Sequence, residues 1–303
     1  DELISQIAAG EVIERPASVV KELVENALDA DSTRVEIFLT SGGKEKIQVN
    51  DDGTGIASDD IELAVMRHAT SKISSARDLF GVQTHGFRGE ALASITSVAQ
   101  VTITSRVEDE ETATELRIEP GASAEITKAA RERGTTITVE NLFCNTPVRA
   151  KFLHSDSTEC SKVLDIVGRI ALANPQIAFR LLNDDKELLS VRPGTLESRM
   201  QEILDPKFSP QMHPVQWEQE GISITGFIGD EKTHRLRRQH QYLFLGRRPI
   251  WNATLLKAIS QGTEALHAHP AALLFISLPP EEVDVNVHPA KREVRFADES
   301  LLF

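Results

Sequence analysis

The segment at residues 86–92 constrains the fold most, because it places two glycines and an arginine directly before a predicted helix. Gly86 and Gly89 leave backbone N–H groups unobstructed, Arg88 lies between them, and helix-forming residues continue to Ile95. Free amides at a helix N-terminus beside a guanidinium favour phosphate. The segment therefore predicts a phosphate-contacting turn. Taken alone, it is more often an ordinary glycine-bounded turn that caps a helix.

Length and composition are those of a globular chain of about two domains. The chain has 303 residues, of which 40% are hydrophobic and 26% charged. No apolar run approaches the roughly 20 residues that span a bilayer, so no membrane partner is expected. The sequence begins at Asp1 without a leader pattern or an initiator Met, and we expect a trimmed chain without a secretory signal. Cys144 and Cys160 lack metal-ligand spacing, which favours a reducing compartment. The expected location is cytoplasmic, at the nucleoid in a prokaryote, or nuclear in a eukaryote.

The charge is distributed unevenly. The whole chain carries a formal net charge of −13, which argues against wholesale wrapping of nucleic acid. Residues 231–257 nevertheless contain seven Lys or Arg side chains and one acidic side chain, a net charge of +6. This segment predicts a surface that contacts phosphate backbones, although a solvated basic loop fits it as well.

Apolar periodicity predicts a first domain of helices and mostly antiparallel strands. Pro16 suits the first turn of a helix whose apolar stripe runs to Leu28. Ser58 is a candidate cap for a helix over 59–67, and a long helix is predicted around 160–171. The predicted strands are 34–39, 46–51, 99–105, 135–139, 177–182 and 187–191, with one or two further β segments at 113–119 and 124–127.

Prolines at 206, 210 and 214 mark a break, after which the pattern restarts. Strands are predicted at 222–228, 241–245, 272–278 and 293–296, with a helix over 252–267. The predicted domains are residues 1–205 and 206–303, and the predicted fold class is α+β.

Three further polar segments are candidates to meet the glycine-rich turn. Glu22, Asn26 and Asp29 share one helical face, where an amide oxygen suits a hard cation and a carboxylate can take a proton from water. Asp51 ends a predicted strand, just before Gly53 and Gly55, and can accept a hydrogen bond from an exocyclic amine. Residues 68–72 offer the hydroxyls of Thr70 and Ser71 and the ammonium of Lys72. Each segment also has an ordinary reading: a wet helix face, an Asp/Gly turn and a polar helix end.

The order of these motifs resembles the GHKL ATPases, which include gyrase, a heat-shock chaperone and histidine kinases. A Glu-x-x-x-Asn helix is followed by Asp-x-Gly-x-Gly, a glycine-rich lid and Gly-Thr, whereas the P-loop sequence is absent. The finer resemblance is to the MutL mismatch-repair family. It rests on segments that run in order along the chain: 6–12, 15–26, 68–73, 86–94, 145–147 and 283–291.

The resemblance implies a Bergerat-type ATP-binding α/β sandwich in residues 1–205, then a ribosomal S5 domain 2-like transducer and DNA-contact domain in 206–303. It implies that Glu22 deprotonates the attacking water, that Asn26 holds Mg²⁺, and that Asp51, assisted by Thr135, accepts from the adenine amino group. The other implied roles are close approach of the base at Gly53 and Gly55, nucleotide contact by Thr70, Ser71 and Lys72, a lid formed by Gly86, Phe87, Arg88, Gly89, Glu90, Ala91 and Leu92, and a γ-phosphate contact by Lys291.

The resemblance also implies partners. ATP binding would drive self-association of this region, and slow Mg²⁺-dependent hydrolysis would couple the mismatch-recognition protein MutS to a downstream nuclease or helicase. Because the chain starts a few residues before Gln6, we expect weak closure and a mostly monomeric nucleotide-free state. Non-specific, salt-dependent DNA contact is expected from Arg235, Arg237, Arg238, Arg247 and Arg248. The family's C-terminal dimerisation region is not part of these residues.

Two departures from the family pattern and two alternatives remain. Asp52 stands where the family often has Asn, which adds charge beside the adenine pocket, and in residues 245–248 only Arg248 keeps its family place. One alternative is a nucleotide-sensing DNA-binding module with incidental hydrolysis. The other is a different GHKL ATPase, such as a topoisomerase subunit or a protein kinase, against which the segments 145–147 and 288–291 argue.

Overall fold

The computed structural model describes residues 13–66, 91–204, 206–219, 221–236, 238, 240–263, 268–279, 282–284 and 295–296. These residues form two compact units. The first unit extends to residue 193, except for residues 172–175, which belong with the second unit together with the chain from 194 onward. Both units combine helices with mostly antiparallel strands, so the predicted α+β class is confirmed.

Helix α1, Pro16–Asp29, begins where the sequence predicts. Proline occupies the first turn, where its missing N–H costs no hydrogen bond. Val20, Leu23, Val24 and Ala27 are buried along one side, and α1 packs against the first two strands of the unit. Glu22, Asn26 and Asp29 lie on the opposite side of the helix and are half-buried.

The first unit contains one eight-stranded sheet in the order β5-β4-β3-β6-β2-β1-β7-β8. All its neighbours are antiparallel except β1 and β7, where Val35 pairs with Phe179 in parallel register. The predicted strands and both of the further β segments are present: β1 Arg34–Thr40, β2 Lys46–Asp51, β3 Gln100–Arg106, β4 Ala113–Ile118, β5 Glu125–Ala129, β6 Gly134–Glu140, β7 Ala178–Asn183 and β8 Lys186–Val191.

Three more helices belong wholly or mainly to this unit. They are α2 Ala91–Thr96, α3 Pro147–Lys151 and α4 Asp156–Ala173. Val163, Val167 and Ile170 of α4 are buried, which confirms the predicted long helix. Glu159 of α4 is fully buried and lies 3.5 Å from Arg15 at the start of α1, so an ion pair links the two helices.

The second unit is built on a five-stranded sheet in the order β12-β11-β13-β10-β9. Its strands are β9 Met212–Gln219, β10 Ile222–Gly229, β11 Gln241–Leu245, β12 Arg248–Ile250 and β13 Ala272–Ser277, and a separate two-stranded ladder joins β14 Val283–Asp284 to β15 Arg295–Phe296. Helix α6, Ala253–Gly262, is capped by the Asn252 side chain, which accepts from the Leu255 N–H at 2.9 Å.

Helix α5, Leu196–Ile203, packs within the second unit. Its fully buried Arg199 donates to the carbonyl oxygens of Asn174 and Pro175 at 3.2 and 3.0 Å. Met200 joins an apolar cluster with Phe208 and other residues of the second unit. The second unit therefore begins at Gly194, whereas the boundary expected from the sequence lies after residue 205.

One predicted helix is wrong. Residues 58–62 form turns, and only Leu63–Val65 make a short 3₁₀ turn in place of the helix expected over 59–67. The backbone N–H of Ser58 donates to the Glu110 carboxylate at 2.8 Å, which ties this segment to a distant loop. None of the described helices is long and apolar enough to cross a membrane.

Candidate functional site

The polar side of α1 carries an ion-pair cluster. The ammonium of Lys21 lies 3.0 Å from Glu22 Oε1 and 3.0 Å from Glu25 Oε2. Burial alone would lower the pKa of Lys21, but the two carboxylates outweigh burial and raise it. Glu22 and Asn26 are both half-buried and lie one turn apart on the helix, as the sequence predicts.

Asp51 ends β2 in a largely buried position, and its Oδ1 accepts two backbone hydrogen bonds. The donors are the N–H groups of Gly53 at 2.9 Å and of Thr135 at 3.3 Å. Burial raises the pKa of Asp51, and the two N–H groups and Arg131 only partly oppose this effect. Oδ2 accepts no hydrogen bond from the part of the chain that the structure describes, so this oxygen remains available to an external donor.

Thr135 is held by a buried hydroxyl network. Its Oγ1 lies 3.0 Å from Oγ of Ser105, which also donates to the Gly134 carbonyl oxygen at 3.0 Å. The same Ser105 oxygen accepts the Ile56 N–H at 2.8 Å. Ser105 therefore fixes both the threonine on β6 and the loop after Asp51.

The loop that follows Asp51 depends on one glycine in particular. Gly55 has φ +79°, a left-handed conformation, and a Cβ at this position would overlap the carbonyl oxygen of Arg106. The neighbouring residue, Thr54, donates its backbone N–H to the carbonyl oxygen of Ala30 at 2.8 Å, just beyond the end of α1. The Asp51 loop and the Glu22/Asn26 helix are therefore parts of one connected assembly.

The carboxylate of Asp52 binds a different part of the fold from that of Asp51, namely the backbone at the start of β1. Its Oδ1 accepts the N–H groups of Thr33 and Arg34 at 2.8 and 2.9 Å, and its Oδ2 accepts the Thr33 hydroxyl at 2.6 Å. Burial would raise the pKa of Asp52, but these hydrogen bonds outweigh it and lower the pKa. The charge of Asp52 does contribute to the raised pKa of Asp51, as the smallest of the causes.

The structure brings together part of the predicted site. Asp51, Gly53 and Thr135 are joined by hydrogen bonds, Glu22 and Asn26 share α1, and Ala91 and Leu92 begin α2. Gly55 lies in the loop after Asp51. The predicted nucleotide-site residues outside the described residues are Thr70, Ser71, Lys72, Gly86, Phe87, Arg88, Gly89, Glu90 and Lys291.

Three residues around the site were not predicted from the sequence. Lys21 pairs with Glu22, Ser105 holds Thr135, and Arg131 donates to the Asp51 carbonyl oxygen at 2.8 Å. Ser105 had a usable signal, because it is a polar residue at an inward position of a strand whose other inward residues are Val101 and Ile103. Lys21 and Arg131 had none, since surface lysines and arginines look the same in a sequence.

The predicted DNA-contact arginines differ in their surroundings. Arg248 is buried, and Arg235 donates to the carbonyl oxygens of Lys232 and His234 while its guanidinium lies 4.5 Å from the centre of the Phe208 ring. Arg238 and Arg247 are exposed. Arg237 lies outside the described residues.

Two protein-family models match the chain. Residues 13–141 match the family described as histidine kinase-, DNA gyrase B- and HSP90-like ATPase. Residues 200–303 match the C-terminal domain of the DNA mismatch repair protein family. The expected GHKL-type ATPase fold, followed by an S5 domain 2-like domain, is thereby confirmed.

Curated relatives match along nearly the whole chain. MutL of Limosilactobacillus reuteri is 46% identical over 304 residues, which cover 99% of this chain and 46% of the relative. MutL of Afipia carboxidovorans is 44% identical and is matched over 50% of its length. The chain thus spans about half the length of the curated relatives it matches.

Solved structures agree with the curated relatives. The N-terminal domain of a DNA repair protein superposes with a TM-score of 0.84 at 27% identity, covering 99% of this chain and 94% of that one. The Aquifex aeolicus MutL ATPase domain complexed with ADP superposes with a TM-score of 0.68 at 32% identity, covering 89% and 94%. Identity of this level over nearly all of a solved ATPase domain, with two domain models in matching order, shows that the chain belongs to the MutL family of DNA mismatch repair proteins.

Proposed function

We propose that this region binds ATP with Mg²⁺, hydrolyses it slowly, and uses the nucleotide state to control its association with a second copy. The observation that carries the proposal is Asp51, a half-buried carboxylate whose Oδ1 accepts two backbone N–H groups and whose Oδ2 accepts none from the described residues. A carboxylate oxygen of this kind can accept a hydrogen bond from a ligand.

Asp51 suits the adenine amino group. Oδ2 would accept one amino hydrogen, and Thr135, fixed by Ser105, would assist through its hydroxyl or a water molecule. A Cβ at Gly53 or Gly55 would overlap the carbonyl oxygen of Ala30 or Arg106, so these glycines keep the loop beside Asp51 closely packed; the close approach of a flat ring to them is proposed from the family resemblance. The relative from Aquifex aeolicus, whose ATPase domain was solved with ADP, supports a nucleotide in this fold.

The residues on α1 fit a magnesium-bound triphosphate. Mg²⁺ typically takes one or two protein oxygens and draws its remaining ligands from phosphates and water. The Asn26 amide oxygen is such a ligand, and among the described residues no group of three His, Cys, Asp or Glu could hold a metal by itself. Mg²⁺ would supply charge neutralisation between the phosphates, while Asn26 would fix its position.

Glu22 is the proposed general base. Its half-buried carboxylate lies one helical turn before Asn26, so a water molecule near the bound γ-phosphate would be within its reach. Phosphoryl transfer needs little covalent chemistry from the protein and depends mainly on position and charge. The contributions of Thr70, Ser71, Lys72, residues 86–90 and Lys291 are proposed from the family resemblance.

The wider role is proposed from the family. Two copies would associate when ATP binds, and this state would couple MutS to a downstream nuclease or helicase, on DNA contacted without sequence preference. Such a protein works in the cytoplasm at the nucleoid, or in the nucleus of a eukaryote. The MutL relatives support the repair role, and the exposed Arg238 and Arg247 support the DNA contact.

Nucleotide binding is the first test. We expect the wild-type chain to bind Mg²⁺-ATP in calorimetry and Asn26→Ala to lose at least about tenfold in affinity, which corresponds to one lost charge-assisted contact. Sizing with a non-hydrolysable ATP analogue should show a dimer that is absent without nucleotide. A wild-type chain that ignores ATP would refute the proposal.

Glu22→Ala separates the proposal from its alternative, a DNA-binding module with incidental hydrolysis. Under the proposal, the variant keeps ATP bound, loses about 10²–10⁴-fold in turnover, and fails in a repair assay of the full-length protein. Repair that survives without turnover would favour the alternative. Glu36→Ala is the matched control, because Glu36 lies on β1 and pairs only weakly with Arg180, at 3.9 Å.

A further inference from the structure

The cluster formed by Lys21, Glu22 and Glu25 has a geometry that a simple helix surface does not produce. Lys21 and Glu25 are one turn apart and face each other, whereas Lys21 and Glu22 are adjacent in sequence and point about 100° apart around the helix. The ammonium nevertheless lies 3.0 Å from both carboxylates. The side chains of Lys21 and Glu22 therefore turn toward each other around the helix.

Burial separates this cluster from an ordinary surface ion pair. The side chains of Lys21, Glu22 and Glu25 are 13%, 18% and 4% exposed. Exposed pairs of this kind are screened by water and lose their geometry to side-chain motion. Here Glu25 is the most buried member, so it can hold Lys21 in one place, and Lys21 can in turn hold Glu22.

We propose that Lys21, anchored by the buried carboxylate of Glu25, is a positioning residue that orients Glu22 for proton abstraction. This proposal rests on the function proposed for Glu22. The ammonium holds Glu22 through Oε1, so the direction in which the carboxylate points depends on where Glu25 places Lys21. The chain Glu25–Lys21–Glu22 then works as catalytic groups often do, with a base oriented by a second residue that a third one holds.

If Lys21 acts by positioning Glu22, its replacement should lower the rate of hydrolysis without weakening nucleotide binding. Lys21→Met should lower the maximal rate of ATP hydrolysis about ten- to a hundredfold, since a small displacement of a catalytic group has effects of this size. Affinity for ADP should stay within about threefold of wild type, because Lys21 is not assigned to the nucleotide. Lys21→Arg keeps the charge and should restore much of the rate, and Glu25→Gln should give an intermediate loss.

Lys162→Met is the matched control. Lys162 also pairs with a buried glutamate on a helix of the first unit, with Nζ 3.5 Å from Glu159 Oε1. Its loss should leave both turnover and ADP affinity unchanged. Thermal unfolding of each variant shows whether a lost rate reflects a lost fold.

A second measurement needs no turnover. Labelling of nucleotide-free protein with an amine-reactive reagent, read by mass spectrometry, should find Lys21 protected in wild type and more reactive in Glu22→Gln and Glu25→Gln, with Lys162 as internal reference. A Lys21 that reacts freely in wild type would overturn the proposal.

The kinetic outcomes are equally decisive. Wild-type or faster turnover in Lys21→Met overturns the positioning role, and so does an equal loss of rate and ADP affinity. If instead wild type does not hydrolyse ATP, or Glu22→Ala retains full turnover, the proposed function fails, and the labelling result still decides whether Glu25 and Glu22 hold Lys21.

Discussion

At the scale of single residues, Asp51 and Asp52 show how two adjacent carboxylates acquire different tasks. Asp51 is pulled toward its neutral form by burial, whereas hydrogen bonds from Thr33 and Arg34 hold Asp52 in its charged form. The first has an oxygen to spare for a ligand, and both oxygens of the second are used by the fold. A sequence shows only two aspartates in a row.

Asp51→Asn should therefore separate stability from function. A carboxyl whose pKa is raised by folding favours the native state most below its unfolded pKa of about 3.9, and this contribution is lost as pH rises through the folded pKa. We expect the nucleotide-free variant to be at least as stable as wild type at pH 7. Its free energy of unfolding should increase relative to that of wild type as pH rises from about 4 to 7. ATP affinity should fall at least about tenfold, because an amide NH₂ cannot accept from the adenine amino group. Urea unfolding across pH and calorimetry measure the two effects.

Asp52→Asn should behave in the opposite way. The pKa of Asp52 is lowered, so its stabilising contribution is present above the unfolded pKa and disappears as pH falls through the folded value. At pH 7 the variant should lose about 1–2 kcal/mol of unfolding free energy, and the loss should shrink below about pH 4. ATP affinity should be unchanged. A marked loss of affinity would place Asp52 in the nucleotide site after all.

At the scale of elements, the site depends on the register between β2 and β6. Asp51 pairs with Thr135, and this pairing brings the carboxylate and the threonine N–H together. Gly134, one residue earlier, has φ +116°, and a Cβ there would overlap the carbonyl oxygen of Asp51. The glycine of the Gly-Thr pair thus allows the close approach of the two strands.

Gly134→Ala should disturb the site from a position that touches no ligand. The new methyl group would push β6 away from the end of β2 and lengthen the Thr135 hydrogen bond to Asp51. We expect both lower stability, by about 1–3 kcal/mol, and weaker ATP binding. Gly121→Ala is a control with a comparable positive φ of +78° in a turn before β5, and it should lose stability but keep ATP affinity.

Sequence periodicity was a good guide to elements with one buried face. Strands β1, β2, β3 and β6 and the helices α1 and α4 have this pattern, whereas β5 at the sheet edge is almost entirely exposed. The pattern gave no sign of β9, whose Pro214 and mostly exposed residues are tolerated because the strand lies at a sheet edge. Helix α5 was not predicted either, and its buried Arg199 explains why, since arginine is seldom a core residue. Neighbours in the sheet were beyond sequence reasoning wherever they are distant in the chain.

The site was predictable only as far as its residue types were distinctive. Glu22, Asn26 and Asp51 each have an ordinary structural reading, and they stood out because their motifs follow one another in the order found in the GHKL ATPases. Ser105, Arg131 and Lys21 act by holding other groups, and the contacts that give them this role join residues as far apart as 131 and 51. Such supporting residues become visible only when the chain is folded.

At the scale of the whole molecule, the basic segment of the second unit, residues 231–257, is where we propose that this acidic chain contacts DNA. The net charge of the chain is −13, so long-range repulsion has to be offset locally. The exposed Arg238 and Arg247 can do this, whereas Arg248 is buried and Arg235 lies against Phe208. The structure thereby narrows the predicted contact set.

Replacing Arg238 and Arg247 together by Glu should weaken DNA binding at every sequence tested. Each lost phosphate contact lowers the slope of log affinity against log salt by about one, so we expect a reduction of about two. The control is Arg117→Glu with Arg133→Glu, which makes the same charge change on exposed arginines of the first unit. Wild-type binding that does not change with salt would contradict an electrostatic contact.

The parallel pairing of β1 with β7 affects how the protein can fold while it is being synthesised on the ribosome. Val35 of β1 pairs with Phe179 of β7. One edge of β1 therefore stays unpaired while roughly 140 residues are added, which takes about 7–30 s at ordinary rates of synthesis. Helix α1 and the β1–β2 hairpin are made early but cannot be closed into a complete sheet during that time. A nascent chain that stalls before β7 would leave the backbone hydrogen-bonding groups of β1 unpaired along that edge, and such an edge can pair with another chain.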